Sequence, residues 1–388
     1  PYRRNLRTDD IGVCFNMTTR PNANTPLDLP KNIKTIAWNG FMWIAAGKSW
    51  GSGKKPHGPL SYSKDGLKWR YPPEANIEEV FSANTTIMGV ACNRTRKNYI
   101  KFPKNRILAG VGRKGQNIFF SDWSTINGIY DGNGISKWKR GDNTWQPDNT
   151  SLATQPIPNS SIIHRIIKSI AWNGTLWVAV GSNSYDVGHV LKNTHNIIYS
   201  YTGDKWLIAK DKNSDNNVKF NNYESERQQT SSDSATPSQN ANAVAWNGSI
   251  WVAVGDGENI DAIRYSYDGK IWEKSGTIDG TTTSPSSAFF LTAYGPGYCL
   301  AWNGTVWVAG GGTGQLLYSS NGINWNSASR EVAEGNVPSA NIYGVAWFND
   351  KWVLIIGNES SDQPSILYSS LSIPFDRGPG VREWEKGK

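Results

Sequence analysis

Long apolar runs are missing from this chain. No stretch approaches the ~20 consecutive apolar residues that a membrane helix requires, so no membrane span is expected. Cysteine is scarce, with Cys14, Cys92 and Cys299 showing no C-x-x-C spacing, and an odd count does not build a disulfide framework. Cys92 and Cys299 fall in repeated apolar segments, where a thiol behaves as a small buried hydrophobe; the pairing state of all three stays open. The four histidines (His57, His164, His189, His195) form no paired ligand spacing, so no metal is expected. No glycine-rich loop leads into a helix, which removes the common phosphate cradle, and no cofactor is expected.

What is present is aromatic. Hydrophobic residues make up only 38%, but 19 Trp and 16 Tyr bring a large burial area per side chain. With 39 Gly and 19 Pro for corners, this composition suits many short strands and tight turns. The net charge of +8 favours acidic partners weakly; a solvated basic surface is the preferred explanation.

One half-motif recurs along the chain. It reads Ala37-Trp38-Asn39-Gly40 then Trp43 to Gly47, and returns as Ala171 to Gly181, Ala245 to Gly255 and Ala301 to Gly310. A last copy, Ala346-Trp347 with Trp352 to Gly357, replaces Asn-Gly by Phe348-Asn349-Asp350, and a degenerate second copy reads Val90-Ala91-Cys92-Asn93 with Ile107 to Gly110. A second half-motif follows each: Tyr62 to Trp69, Tyr199 to Trp206, Tyr265 to Trp272 and Tyr318 to Trp325, with shortened copies at Phe120-Ser121 and Tyr368-Ser369.

Asn-Gly or Asp-Gly between strand formers predicts a two-residue type I′ hairpin, so each copy encodes four antiparallel strands, A to D. Runs such as Trp251-Val252-Ala253-Val254 lack polar alternation, which predicts a strand B buried on both faces. Strand A is then innermost, and strand D, ending in its Trp, outermost. Four-stranded sheets buried by copies of themselves make propeller blades. The expected architecture is all-β: a single six-bladed β-propeller with blades near 33–70, 87–138, 166–206, 241–272, 297–325 and 341–385, preceded by an extension over 1–32. The last blade takes its outer strand either from Val381-Arg382-Glu383-Trp384 or from the N-terminal Ile11 to Phe15.

The Ser-x-Asp-Gly-x-x-Trp half-motif resembles the Asp-box of sialidase-like propellers, one residue shorter. The whole repeat, over roughly 33–370, looks like the propeller repeats of giant DNA viruses and some bacteria. The resemblance implies architecture. The family's three substrate-binding arginines and its Tyr–Glu nucleophile pair have no counterparts at matching repeat positions, so glycosidase activity does not follow from it.

Length variation falls in the B–C and D–A connections, which share one face, and rigid scaffolds commonly bind through such loops. The ligand-binding candidates there are Trp50, His57, Tyr185, Asp186, His189 and Tyr294; their aromatics either stack on sugars or anchor a protein, or fold inward over the blade tops. The polar stretch Leu207 to Asn240 reads as a loosely ordered excursion. On the opposite face, the second repeat carries Arg94, Arg96, Lys97, Lys101, Lys104 and Arg106 around Tyr99 and Phe102. The segment reads first as a solvated extended hairpin; as a basic patch it suits assembly with an acidic partner, with nucleic acid the weaker reading. Asp256 to Asp261 gathers oxygens without the calcium-loop spacing. Asn173, Asn247 and Asn303 are sequons on equivalent turns, open to glycosylation on a secretory or viral route.

Two functions remain. The first is a non-enzymatic propeller for recognition or self-assembly, binding a protein or glycan partner in a virion or extracellular layer. The alternative is a diverged sialidase-like hydrolase or a glycan-binding lectin.

Overall fold

In a computed structural model the described residues are 31–38, 42–48, 59–64, 69–71, 86–93, 106–111, 118–122, 125–126, 129–130, 138–140, 146–147, 163–187, 190–212, 217–220, 240–256, 262–275, 296–328, 331–332, 335–336, 340–348, 351–357, 365–369 and 384–386. They are all-β, with no α-helix among them. None of their helices is long and apolar enough to cross a membrane. The chain divides into two compact units, Pro1–Gly141 and Asp142–Lys388.

The larger unit is a propeller-like arrangement of four blades, one for each of repeats 3 to 6. In repeat 4, strands A (Ala241–Trp246), B (Trp251–Gly255), C (Ile263–Ser266) and D (Ile271–Lys274) pair in sequence order. Repeat 3 has the same order with Ile163–Trp172, Trp177–Val187, Val190–Ser200 and Leu207–Ile208. Repeat 5 has it with Gly297–Trp302, Trp307–Gly311, Leu316–Ser319 and Asn326–Ser327. Repeat 6 uses Asn341–Phe348, Lys351–Gly357, Ser365–Ser369 and Trp384–Lys386, so its outer strand comes from the C-terminal end of the same repeat. Strands A of consecutive repeats lie side by side.

Strand B explains why these sheets stack. Trp251 and Ala253 pack towards Val178, Val180 and Tyr199 of repeat 3, while Val252 and Val254 pack with Trp307, Leu317 and Trp325 of repeat 5. All five strand-B residues are buried, as the absence of polar alternation predicts. The smaller unit carries repeats 1 and 2. Lys31–Trp38, Trp43–Lys48 and Leu60–Ser63 form a three-stranded sheet, extended by a Tyr62–Arg70 bridge. Ile87–Cys92, Arg106–Val111, Ile118–Asp122 and Trp138–Arg140 form a four-stranded one. Met42, Ile44 and Leu60 of the first sheet pack on Ile87, Val90 and Phe119 of the second.

The turns depart from the expected hairpins. Trp246 and Trp251 are directly opposed, leaving a four-residue A–B loop instead of a two-residue type I′ turn. Only Gly248 has a positive φ there; Asn247 acts through its side chain, accepting from the N–H groups of Ser249 and Ile250 at 2.9 Å each. Asn173 and Asn303 do the same in repeats 3 and 5. The longer loop lets the two Trp rings meet at 5.1 Å and sends Ile250 into the next interblade core.

The C–D turn is built around a serine. The Ser266 hydroxyl donates to the Ile271 carbonyl (2.6 Å) and accepts from the Gly269 N–H (2.8 Å), while Asp268 accepts from the N–H groups of Lys270 and Ile271. Gly269 sits at φ +75°, and a Cβ there would lie 2.6 Å from Leu176 of the neighbouring blade. Trp272 donates its indole N–H to the Gly269 carbonyl at 3.0 Å. The Trp therefore opens strand D rather than ending it, because it seals the turn from within.

The D–A connections hold a larger surprise. After leaving repeat 3, Lys210–Asp211 pairs in parallel with Ile271 and Trp272, becoming a fifth outer strand on repeat 4. Gln146–Pro147 does this for repeat 3 and Glu331–Val332 for repeat 6. A departing chain thus covers the open edge of the blade that follows it, where unpaired backbone groups would invite aggregation. The stretch read as a loose excursion is accordingly ordered at both ends of its first part: Ala209, Val218 and Phe220 are buried, and Arg264 pairs with Asp211 at 2.8 Å.

Candidate functional site

Aligning the six strands A on their final Trp (Cys92 in repeat 2) exposes one free position. One residue before it is always Ala, two before always aliphatic, and three before always small (Thr35, Gly89, Ser169, Ala243, Cys299, Gly344). Four before it stand Lys34, Met88, Lys168, Asn242, Tyr298 and Tyr343, which share no chemistry. In all six repeats this same position is a β-bulge, because the register with strand B slips there by one residue. A bulge bends the strand and re-aims a side chain, and it is commonly found beside functional sites.

The glycine four residues after the first Trp of strand B makes room for it. A Cβ on Gly255 would lie 2.2 Å from the Asn240 carbonyl oxygen, and one on Gly181 would lie 1.8 Å from that of Ile166. Small residues beside the bulge tie neighbouring strands A together: Ser169 accepts from the Val244 N–H, and Thr35 from the Val90 N–H, both at 3.3 Å.

In the larger unit the bulged side chains form a row of two contacting pairs, Lys168 with Asn242 and Tyr298 with Tyr343. The Lys168 ammonium donates to the Asn242 side-chain oxygen at 2.7 Å. The Asn242 amide donates to the Gly297 carbonyl (2.8 Å) and to Asp256 (3.1 Å). Asp256 also accepts from the backbone and side-chain N–H groups of Asn240, each at 2.9 Å. Farther along, the Tyr298 and Tyr343 rings meet at 5.2 Å, and Asn341 donates to the Tyr343 hydroxyl at 3.0 Å. Thr313, at φ +48°, donates its N–H to Asn341; it is the one non-glycine with positive φ among the described residues.

Burial holds the Lys168 ammonium below the ordinary lysine range, and the nearby Asp256 carboxylate pulls it part of the way back. Such a lysine binds fewer protons folded than unfolded between its two pKa values. Its unfavourable contribution is complete below that interval and fades as pH rises towards ~10.4. The stability of the protein relative to its Lys168→Met variant is therefore expected to increase with alkaline pH. Urea unfolding of both proteins at neutral pH and near pH ~10 checks this; parallel pH dependence would contradict it.

No protein-family model matches the chain, and no curated protein matches it significantly. The site must be argued from its own chemistry. Asp256 is the one carboxylate of the row, and its oxygens are engaged by Asn240 and Asn242. The arrangement offers an ammonium, amides and phenols, which bind by hydrogen bonding and stacking.

The loop residues singled out from sequence fall elsewhere. Tyr185 and Asp186 lie on strand B of repeat 3, paired with Lys192 and Leu191: here strands B and C continue as a long hairpin to Val187 and Val190, not as an open loop. Trp50, His57, His189 and Tyr294 lie outside the described residues, as do Arg94, Arg96, Lys97, Lys101 and Lys104 of the basic patch. Arg106 opens strand B of repeat 2, opposite Asp122. The C–D connection of that repeat contains a small hairpin, Thr125–Ile126 with Ile129–Tyr130. Of the acidic segment Asp256 to Asp261, Asp256 belongs to the bulge row and 257–261 lie outside the described residues. Among the described residues no cluster of His, Cys, Asp or Glu could hold a metal ion.

Cys92 and Cys299 are free thiols, and Cys14 lies outside the described residues. Burial pushes the Cys299 thiol up to about 12 and raises that of half-buried Cys92, which favours the protonated thiol at both. Asn173, Asn247 and Asn303 all sit on A–B turns next to exposed Gly174, Gly248 and Gly304.

Proposed function

We propose that the chain is a non-enzymatic recognition or assembly protein of a virion or extracellular layer, built as one ring of six blades. The bulge row carries this reading. Each strand A carries near its end the pattern small, aliphatic, Ala, and the position just before that pattern, at the bulge, changes chemical type from repeat to repeat, which is what a repeated scaffold with a variable contact residue requires. A glycoside hydrolase of the alternative reading needs two carboxylates about 5–10 Å apart, one of them free to donate a proton. The row supplies Asp256 alone. The Tyr298–Tyr343 pair keeps a glycan-binding lectin as the second reading, since sugar faces stack on such rings.

Six-fold closure is supported by internal equivalence. Val180 of repeat 3 and Val244 of repeat 4 share one apolar cluster. Their counterparts at the two ends of the repeat series are Ile355 of repeat 6, 46% exposed, and Ile36 of repeat 1, 50% exposed. A closed ring would bury these two together, so cysteines at Ile36 and Ile355 are expected to form a disulfide on oxidation. Failure to crosslink would argue against closure.

The functional test pairs a glycan array and defined protein-binding assays with fluorogenic glycosides as substrates. Binding that falls in Asn242→Ala or Tyr343→Ala, without hydrolysis, is the expected outcome. Hydrolysis abolished by Asp256→Asn would replace the proposal with the enzyme. The sequons Asn173, Asn247 and Asn303 are the proposed glycosylation positions, testable by the mass lost on deglycosylation of secreted protein.

A further inference from the structure

Most large apolar side chains that stand exposed among the described residues lie on strands A and B of repeats 1 and 6. Three do not. Tyr201 (50% exposed) and Tyr267 (63%) lie on the C–D turns of repeats 3 and 4, and Ile271 (50%) opens strand D directly after the second of these turns.

Nothing in the turn requires them. Tyr267 occupies the free position of Ser-x-Asp-Gly, where Ser266 and Asp268 build the turn around it. Tyr201 occupies the same position in repeat 3, where Ser200 accepts from the Gly203 N–H at 2.7 Å. Lys64 and Ser320 fill it in repeats 1 and 5, so the turn accepts any side chain there. Both tyrosines are nonetheless propped. Tyr267 stands edge-on to Tyr265 at 6.0 Å and Tyr201 edge-on to Tyr199 at 6.2 Å. The Lys270 ammonium reaches from one turn to lie 5.9 Å from the centre of the Tyr201 ring on the other. Rings fixed in this way have little rotamer freedom to lose on binding, which is how aromatic anchors of interfaces work.

Charge points to the partner. Residues 201–212 and 264–274 hold six cations (Lys205, Lys210, Lys212, Arg264, Lys270, Lys274) and four carboxylates. Arg264 pairs with Asp211 and Lys212 with Glu273, while Asp204 and Asp268 are hydrogen-bonded within their turns and keep their charge. Lys205, Lys210, Lys270 and Lys274 then stand against those two carboxylates, so the patch carries a net positive charge. Ile271 decides between macromolecules, because an aliphatic side chain offers a saccharide or a phosphate little, but suits a protein interface.

We propose that the adjoining C–D turns of repeats 3 and 4 form a docking surface for an acidic protein segment, with Tyr201 and Tyr267 as its anchors. This rests on the recognition reading above and supplies it with a second face. The probe is a glutamate–tyrosine copolymer presented to the full chain, with heparin and a thymidine oligonucleotide as competing polyanions. The copolymer is expected to bind, and to bind about tenfold or more weakly to the Tyr201→Ser, Tyr267→Ser double variant. Binding should also weaken between about 50 mM and 500 mM salt. An unchanged melting temperature would show that the variant still folds. Absence of copolymer binding, binding indifferent to the two tyrosines, or equal tyrosine-dependent binding of heparin or oligonucleotide would each overturn the proposal. If copolymer binding ignores the tyrosines but falls in Asn242→Ala, the recognition reading stands and this surface does not.

Discussion

Replacing Trp272 by alanine is expected to cost about 3–5 kcal/mol of unfolding free energy. The side chain is fully buried and belongs to the core between repeats 3 and 4, together with Val178, Tyr199, Phe220 and Trp251. Alanine would leave a cavity lined by two blades, and neither can collapse into it without moving its own strand register. The Gly269 carbonyl would also lose its indole donor. The Trp272 backbone carbonyl, which alanine retains, accepts from the Lys212 N–H at 3.0 Å, so the strand donated by repeat 3 is expected to stay attached. Trp272→Phe should recover most of the packing but not the indole bond, and so fall between the two. Guanidinium unfolding followed by far-ultraviolet circular dichroism measures both. A cost below about 1 kcal/mol for the alanine variant would mean that the stacked-sheet core is wrongly described.

The same residue shows how much of the fold could be read in advance. Its recurrence with Ser266, Asp268 and Gly269 disclosed the C–D hairpin, and the unbroken apolar run of Trp251 to Val254 disclosed a doubly covered strand. Both are local patterns. The turn around Asn247 was misread because Asn-Gly serves two geometries: choosing the four-residue one depends on burying Ile250 against the next blade, a tertiary demand. The parallel strand Lys210–Asp211 is two residues long and polar, with no periodicity to betray it. Strands B and C of repeat 3 continue through polar Ser182 to Asn196, where composition suggested a loop.

The candidate site was legible only in part, for a related reason. Lys168, Asn242, Tyr298 and Tyr343 look unremarkable one at a time. They become a set when the six strands A are aligned on their shared Ala, since the positions between keep a small and an aliphatic residue while the one before them changes chemical type. That signal lay in the sequence. What it lacked was the bulge, which is a property of two strands and not of one. Loop aromatics such as Tyr185 are the more conspicuous candidates in a sequence, because loops commonly carry function. Here the inner strands compete with the loops for that role, and the chemistry of the row favours them.

Asp256→Ala is the second large effect expected, again about 3–5 kcal/mol. The carboxylate is the acceptor for three N–H donors of Asn240 and Asn242; alanine would strand the two of Asn240 in a buried setting, while the Asn242 amide keeps the Gly297 carbonyl. It also supplies the negative charge that offsets the burial of Lys168. These two contributions separate in a double-mutant cycle. If the charge matters, Asp256→Ala should cost less in a Lys168→Met background, with a coupling of about 1–2 kcal/mol. If the hydrogen bonds alone matter, the two losses will add. Additivity would leave Asp256 as a brace for the bulge of repeat 4, while coupling would join repeats 3 and 4 into one electrostatic unit. Only in the coupled case would a ligand that displaces the Lys168 ammonium from Asn242 be felt at Asp256, one blade away.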